Sequence, residues 1–144
     1  RAEIQALVVK SSSPQPRRVT NGVDSSRVAM LLAVLERRAG ISLSDKDVYV
    51  STVGGMRIIE PAADLAIAIA IASAVSDKPV STKVAAFGEI SLSGEVRGVA
   101  NLSQRTNEAS RLGHKIIIDS KSGQLKKALT QALAQSDQSQ QVAS

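Results

Sequence analysis

Three small groups of side chains in this sequence could take part in catalysis. Glu60 and Asp64 lie four residues apart, a spacing that could pair a general acid with a general base. Ser81 and Lys83 could form a serine-lysine dyad if the lysine were desolvated beside the hydroxyl. His114 is the one histidine. A structural interpretation is favoured for each group: acids that stabilise a helix dipole, neighbours in a turn, and a histidine in an exposed loop.

The composition excludes several classes of site. Without cysteine the chain has no disulfide, thiolate zinc site, iron–sulfur cluster or cysteine nucleophile, and one histidine makes a multi-histidine metal site implausible. No G-x-x-x-x-G-K-[ST] motif is present, and Gly54-Gly55 lacks the spacing of a dinucleotide loop. Only Tyr49 and Phe87 are aromatic, too few for a platform that stacks single-stranded bases.

The size and charge of the chain indicate one globular domain with a basic surface. Its 144 residues carry a net charge of +5, which points weakly to a polyanionic partner. We expect the domain to span residues 1–134 and residues 135–144, rich in Gln and Ser, to form a disordered polar tail. The apolar run at residues 62–75 is too short to cross a membrane. We see no signal peptide, and the start at Arg1 suggests a piece of a longer protein.

Hydrophobic periodicity predicts an alternation of strands and helices around these residues. A strand at residues 4–9 is followed by a proline-containing loop, and a helix capped by Asp24 or Ser25 ends at Gly40. Pro61 opens a helix that is apolar on nearly every face and is therefore expected to be buried on all sides. The remaining predictions are strands at residues 48–53, 84–87, 90–96 and 115–118, with bends at Gly88 and Gly94, and helices at residues 101–111 and 123–133. This order indicates an α/β or α+β fold.

Several long stretches match one known family. They are residues 2–8, 22–27, 30–40, 47–50, 60–66 and 87–97, together with Gly54-Gly55. In these stretches the chain resembles the C-terminal Lon-protease-like domain of the RadA (Sms) family of bacterial DNA repair proteins. The resemblance extends from about Glu3 to Leu133. It implies a Lon proteolytic-domain-like fold of the ribosomal S5 domain 2-like type.

The resemblance also identifies the positions of the peptidase dyad. The Lon serine lies in a Gly-Pro-Ser-Ala-Gly stretch, which aligns with residues 60–64 and places Ala62 at the serine. The Lon lysine position, counted without gaps, falls on Arg105. Alanine supplies no nucleophile, and a guanidinium cannot act as a neutral base, so we expect no catalytic residue in this chain. Our hypothesis is that Arg105 pairs with Glu60 or Asp64.

The family further implies a role in recombinational repair. Its members carry upstream a zinc-binding motif and an ATPase core, so zinc, ATP and Mg²⁺ are expected there, with no cofactor or metal in this segment. The resemblance implies cytoplasmic hexameric rings that act with recombination proteins on DNA of any sequence, away from membranes. It leads us to expect this domain to supply DNA contacts and ring assembly.

Eight basic residues are candidates for contacts with DNA phosphates. They are Arg17, Arg18, Arg37, Arg38, Lys46, Arg97, Arg105 and Lys115. Arg17 and Arg18 rank first because we place them in the loop before the first helix, and Arg37 ranks second. Two alternatives remain open: an active Lon-type serine-lysine peptidase, and an oligomerisation domain that does not touch DNA.

Overall fold

A computed structural model describes residues 3–134 of the chain. Within that range the elements follow one another as seven strands and four α-helices. The strands are β1 (Ile4–Lys10), β2 (Arg18–Asn21), β3 (Lys46–Thr52), β4 (Val84–Ala86), β5 (Glu89–Ile90), β6 (Val96–Arg97) and β7 (Ile116–Ile118). The helices are α1 (Ser25–Ala39), α2 (Asp64–Ser76), α3 (Leu102–Arg111) and α4 (Leu125–Ala134). The α/β prediction is confirmed, and the predicted tail at residues 135–144 lies outside the described residues.

The strands form three small sheets. The largest has the order β1-β3-β2, in which β1 is antiparallel and β2 parallel to β3. Strands β4 and β7 pair in parallel, and β5 and β6 form a short antiparallel hairpin. Helices α1, α2 and α4 contribute most of the buried core, with Leu31, Leu65 and Leu125 fully enclosed.

The predicted boundaries of helix α1 are confirmed, because residues at its end and along its buried face carry strong local signals. Its buried residues recur at the three-to-four spacing of a core-facing stripe. Gly40 ends the helix in the left-handed conformation and donates its N–H to the carbonyl of Leu35. Arg37 and Arg38 lie in the last turn, where cations complement the helix dipole.

Three sequence-based boundaries were wrong. Arg18 does not lie in a loop: it begins strand β2, which the sequence analysis missed because its four residues are mostly exposed and pair only with β3. Strand β3 ends at Thr52, and Val53 already belongs to a 3-10 turn that leads into the glycines. The stretch predicted as strand at residues 90–96 is divided into β5 and β6 by a tight hairpin, and the bend predicted at Gly94 is confirmed, since Gly94 turns the chain at φ +84°.

The apolar helix also departs from its prediction. A 3-10 turn at Pro61–Ala63 precedes α2, and most of the helix is buried as expected. One stripe is only half-buried, however, and it consists of the small residues Ala66, Ala70, Ser73 and Ala74. This stripe lies along an open groove, so α2 is not enclosed on all sides.

Candidate functional site

Ala62 lies where the chain enters α2 and is held there by two backbone bonds. Its carbonyl accepts a hydrogen bond from Gly88 N at 3.0 Å, and Leu65 N donates to Gly88 O at 3.0 Å. A methyl group at this position is nearly buried, with 9% of its residue surface exposed. The start of α2 is therefore fixed against the segment between β4 and β5, and the side chain at residue 62 offers no reactive atom.

Arg105 on α3 pairs with Glu60, as the sequence hypothesis proposed. Its Nη1 and Nη2 atoms each lie 3.1 Å from one oxygen of the Glu60 carboxylate, and its Nε donates to the carbonyl of Ala100 at 2.9 Å. This fork-to-fork geometry suits a guanidinium and a carboxylate. The hydrogen bonds from Arg105 lower the pKa of Glu60, and the same bonds raise the pKa of Arg105. Arg105 thus stays charged and cannot take a proton from a nucleophile.

The Glu60–Arg105 pair predicts a small pH-dependent stability. A carboxylate whose pKa is depressed on folding stabilises the fold above its unfolded pKa, and the contribution is lost as the pH falls through the folded pKa. Because about half of the Glu60 side chain is exposed, we expect Glu60→Gln to lower the free energy of unfolding by only about 0.5 kcal/mol at pH 7. Urea unfolding at pH 7 and at successively lower pH measures this, and a difference that does not shrink as the pH falls would contradict it.

Asp64 is the most deeply buried charged side chain in the described part of the chain, with 1% exposed. Arg27 on α1 binds it in a bidentate way, with Nε 2.7 Å from Oδ1 and Nη2 bonded to Oδ2. The backbone N–H of Ile90 donates to Oδ2 at 3.0 Å. Glu89 lies 3.5 Å from the same guanidinium. This cluster joins α1, α2 and β5 and gives Asp64 a structural role, as the pair with Arg105 does for Glu60.

The other catalytic candidates also take structural roles. Ser81 is buried, and its hydroxyl accepts a hydrogen bond from the N–H of Lys83, whose side chain is exposed. His114 lies in a loop as predicted, but it is half-buried rather than exposed. Its Nδ1 atom lies 2.7 Å from the carbonyl oxygen of Thr82. None of these groups is positioned as a nucleophile beside a base.

Four cations gather where β1 ends and where β2 and β3 begin. Lys10 pairs in register with Lys46, and the carbonyl of Arg17 accepts from Val48 N at 2.9 Å. The guanidinium of Arg18 donates to the carbonyls of Leu43 and Lys46. We call Lys10, Arg17, Arg18 and Lys46 the basic end of the sheet.

Two carboxylates lie among these cations but do not balance them. Asp45 binds Lys46 at 2.7 Å, which lowers the pKa of Asp45. Asp47 accepts the backbone N–H of Arg17, and that bond, with the nearby charges of Arg17 and Arg18, lowers its pKa. Four cations thus face two ionised acids, so the basic end keeps a positive excess.

The last turn of α1 lies beside the basic end. Leu43 connects them, because its N–H binds Glu36 at 2.9 Å and its carbonyl binds Arg18 at 2.9 Å. Arg37 follows Glu36, is exposed, and has no acidic partner within residues 3–134. The structure therefore brings four of the eight predicted DNA-contacting residues to one region: Arg17, Arg18, Arg37 and Lys46.

The other four predicted residues are already engaged: Arg38 lies next to Arg37 on α1, and the other three lie elsewhere in the chain. Arg38 donates to the carbonyl of Leu92, and its stem packs against Gly94. Arg97 lies 3.4 Å from Glu95. Arg105 holds Glu60, and Lys115 donates to the hydroxyl of Ser110 at 3.3 Å. Sequence reasoning missed two positions, Lys10 in the basic end and Arg27 in the buried cluster.

Within the described residues the chain has neither a cluster of metal-ligating side chains nor a membrane-spanning helix. No group of three or more histidine or acidic side chains within residues 3–134 is placed to hold a metal ion. In the same range, each helix is too short or too polar to cross a membrane.

Comparison with known proteins identifies relatives among bacterial DNA repair proteins. The chain is 47% identical over 112 residues to the DNA repair protein RadA of Streptococcus pyogenes serotype M3, a match that covers 78% of the chain. It is 47% identical over 116 residues to RadA of Bacillus subtilis and of Halalkalibacterium halodurans, covering 81% of the chain. The chain spans about a quarter of the length of these relatives.

A family model matches a segment that includes Arg27, Glu60 and Arg105 but not Lys10, Arg17 and Arg18. The match covers residues 25–122, from the start of α1 to the turn before α4, and the family is described as subunit ChlI of Mg-chelatase. Since this range is more than half of the chain, the chain belongs to the ChlI family.

Proposed function

We propose that this chain is a non-hydrolytic, Lon-like domain of a RadA-type DNA repair protein and that it contacts the DNA backbone. The identity to RadA proteins supports the repair role. The positive excess at the basic end is the observation that carries the DNA contact, because phosphate binding needs cations gathered on one surface. Arg17 and Arg37 are the leading contacts, since both are exposed and neither guanidinium holds a carbonyl of the fold.

The same proposal excludes peptide hydrolysis by this segment. A serine-lysine peptidase needs a hydroxyl at residue 62 and a neutral amine at residue 105. Ala62 supplies only a methyl group, and the Arg105 guanidinium is bound to a carboxylate. We expect a fluorogenic peptide substrate to remain intact with this chain, and cleavage that exceeds a no-protein control would contradict the proposal.

The rest of the proposed function concerns the longer protein of which this domain is a part. There we propose a zinc-binding motif and an ATPase that uses ATP and Mg²⁺, working as a hexameric ring in the cytoplasm with recombination proteins. In that setting this domain contributes to ring assembly as well as to DNA contact. Its lack of stacking aromatic residues favours duplex over single-stranded DNA.

Charge reversal at the leading contacts tests the DNA proposal. We expect Arg17→Glu with Arg37→Glu to weaken duplex binding at least about 10-fold near 50 mM salt and to reduce the salt slope by about two. Arg18 is left unchanged because its guanidinium holds the loop at Leu43. Fluorescence anisotropy with a labelled duplex measures both quantities.

A charge-matched double variant separates a local surface from overall charge. Arg111→Glu with Lys126→Glu removes the same net charge from exposed positions on α3 and α4. We expect it to bind nearly as well as the unaltered chain. Equal losses in both double variants would show that only net charge matters and would reject this surface. Binding that is undetectable in all three proteins would favour the oligomerisation alternative.

A further inference from the structure

A groove of about 810 Å³ is lined by residues of two of the sheets and of helix α2. Strands β1 and β4 and the half-buried stripe of α2 all contribute to its lining, together with residues of β2 and β3. Neither strand pairs across it, because β1 bonds only to β3 and β4 bonds only to β7 in the described residues. The groove is therefore bordered by two sheet edges.

The backbone of β1 presents polar groups to this groove. Glu3 O accepts from Val53 N, and Ser11 N donates to Asp45 O, so the odd-numbered residues of β1 bond towards β3. In an extended strand the N–H and C=O groups of the intervening residues point the opposite way. Those of Ile4, Ala6 and Val8 thus point away from β3, and none has a backbone partner within residues 3–134.

Strand β4 has the complementary arrangement. Lys83 O and Phe87 N bond to β7, so the backbone groups of Ala86 point away from β7. Ala86 lines the groove and has no backbone partner in the described part of the chain. The unpaired backbone groups of β1 and of Ala86 border the same groove, and such groups are a template for one more strand.

We propose that the groove holds an extended strand supplied by the polypeptide upstream of Arg1 in the longer protein. Glu3 itself lines the groove, so a short hairpin would bring an upstream segment back along β1 in the antiparallel direction. Matched relatives are about three times as long as this chain, which leaves ample polypeptide to supply the strand. The end of α4 does not line the groove, so a segment that follows it has no such direct path.

The stripe of α2 indicates the chemistry of the occupant. Ala66, Ala70 and Ser73 have small side chains, which leave room above the helix for bulky groups. Because successive side chains of a strand alternate between faces, the occupant would carry large apolar residues at every second position. Those residues would complete the core over α2, and the backbone would join the sheets of β1 and β4.

Amide hydrogen exchange tests this proposal by comparing the 144-residue chain with the same chain extended by its natural upstream residues. We expect the amides of Ile4, Ala6 and Val8 to exchange at least about 100-fold more slowly in the extended protein. Equal rates in the two proteins would overturn the proposal. Protection of these amides in the 144-residue chain that disappears on dilution would also overturn it, because a second copy of the chain would then occupy the edge of β1. Protection that arises only after a separate protein is added would also overturn it.

A proline variant supplies an independent measurement. Ala6→Pro removes one N–H that points into the groove and leaves the bonds to β3 intact. We expect it to leave the unfolding midpoint of the 144-residue chain nearly unchanged and to abolish the protection of Ile4 and Val8 in the extended protein. Leu7→Pro is the matched control, because its N–H bonds to β3 and its loss destabilises both proteins. Full protection in extended Ala6→Pro would contradict the inferred strand. DNA binding enters neither measurement, so both remain informative if the proposed function fails.

Discussion

We expect Arg27→Ala to lower the free energy of unfolding by about 3–4 kcal/mol, a large part of the roughly 5–15 kcal/mol typical of a domain. The substitution removes both guanidinium bonds from Asp64, whose side chain is 1% exposed. The carboxylate would then keep only the N–H of Ile90 as a bonded partner among the described residues. A buried charge without its counter-ion costs far more than an exposed one. Urea denaturation followed by circular dichroism measures the loss.

Two companion variants separate the charge from the shape of Arg27. Arg27→Lys keeps a cation but loses the fork, so we expect an intermediate loss of about 1–2 kcal/mol. The double variant Arg27→Met with Asp64→Leu removes both charges and should recover most of the stability, because an apolar pair of similar volume often replaces a buried ion pair without cost. An Arg27→Ala chain within about 0.5 kcal/mol of the unaltered protein would show that the pair does not stabilise the fold.

Gly22→Ala is expected to destabilise the chain by at least about 3 kcal/mol. Gly22 has φ +84°, and a Cβ atom there would overlap Thr52 Oγ1 and lie 2.5 Å from the carbonyl oxygen of Met56. These two atoms restrain each other, because the Thr52 hydroxyl donates a hydrogen bond to the Met56 carbonyl. Ile58 N also donates to Gly22 O at 2.7 Å, so the substitution would displace the loop that leads to Glu60.

Gly40→Ala is the matched control for this effect. Gly40 has a similar left-handed conformation, φ +69°, but no atom lies within 4 Å of an added Cβ. It should therefore show only the conformational cost of about 1–2 kcal/mol. Thermal or urea unfolding of the two variants isolates the steric part, and equal losses would indicate that the contacts around Gly22 relax freely.

Elements with strong local signals could be predicted from the sequence. The stripe of α1, its Gly40 terminus and the apolar run of α2 each determine structure through residues close in the chain. Strand β2 could not be predicted in this way, because its pairing depends on β3, which lies 30 residues further along in register. For hairpin β5–β6 the sequence indicated the bend at Gly94 but not that the strands on either side of it are only two residues long.

The candidate site was predictable only in part. The Glu60–Arg105 pair followed from the family resemblance, since the two residues are 45 positions apart and no local pattern relates them. Arg27 was missed, although the sequence held a signal: Asp64 opens an apolar, buried helix, and a buried carboxylate requires a cation or several hydrogen bonds. The identity of the cation that binds Asp64 depends on the tertiary fold.

The central claim is that this domain contacts the DNA backbone, and a salt titration of duplex binding by the unaltered 144-residue chain tests it most directly. We predict that the logarithm of the association constant falls linearly with the logarithm of salt concentration, with a slope that reflects about two to four phosphate contacts. Two duplexes of unrelated sequence should give the same line. No measurable association near 50 mM salt, or an affinity that does not change with salt, would contradict the account.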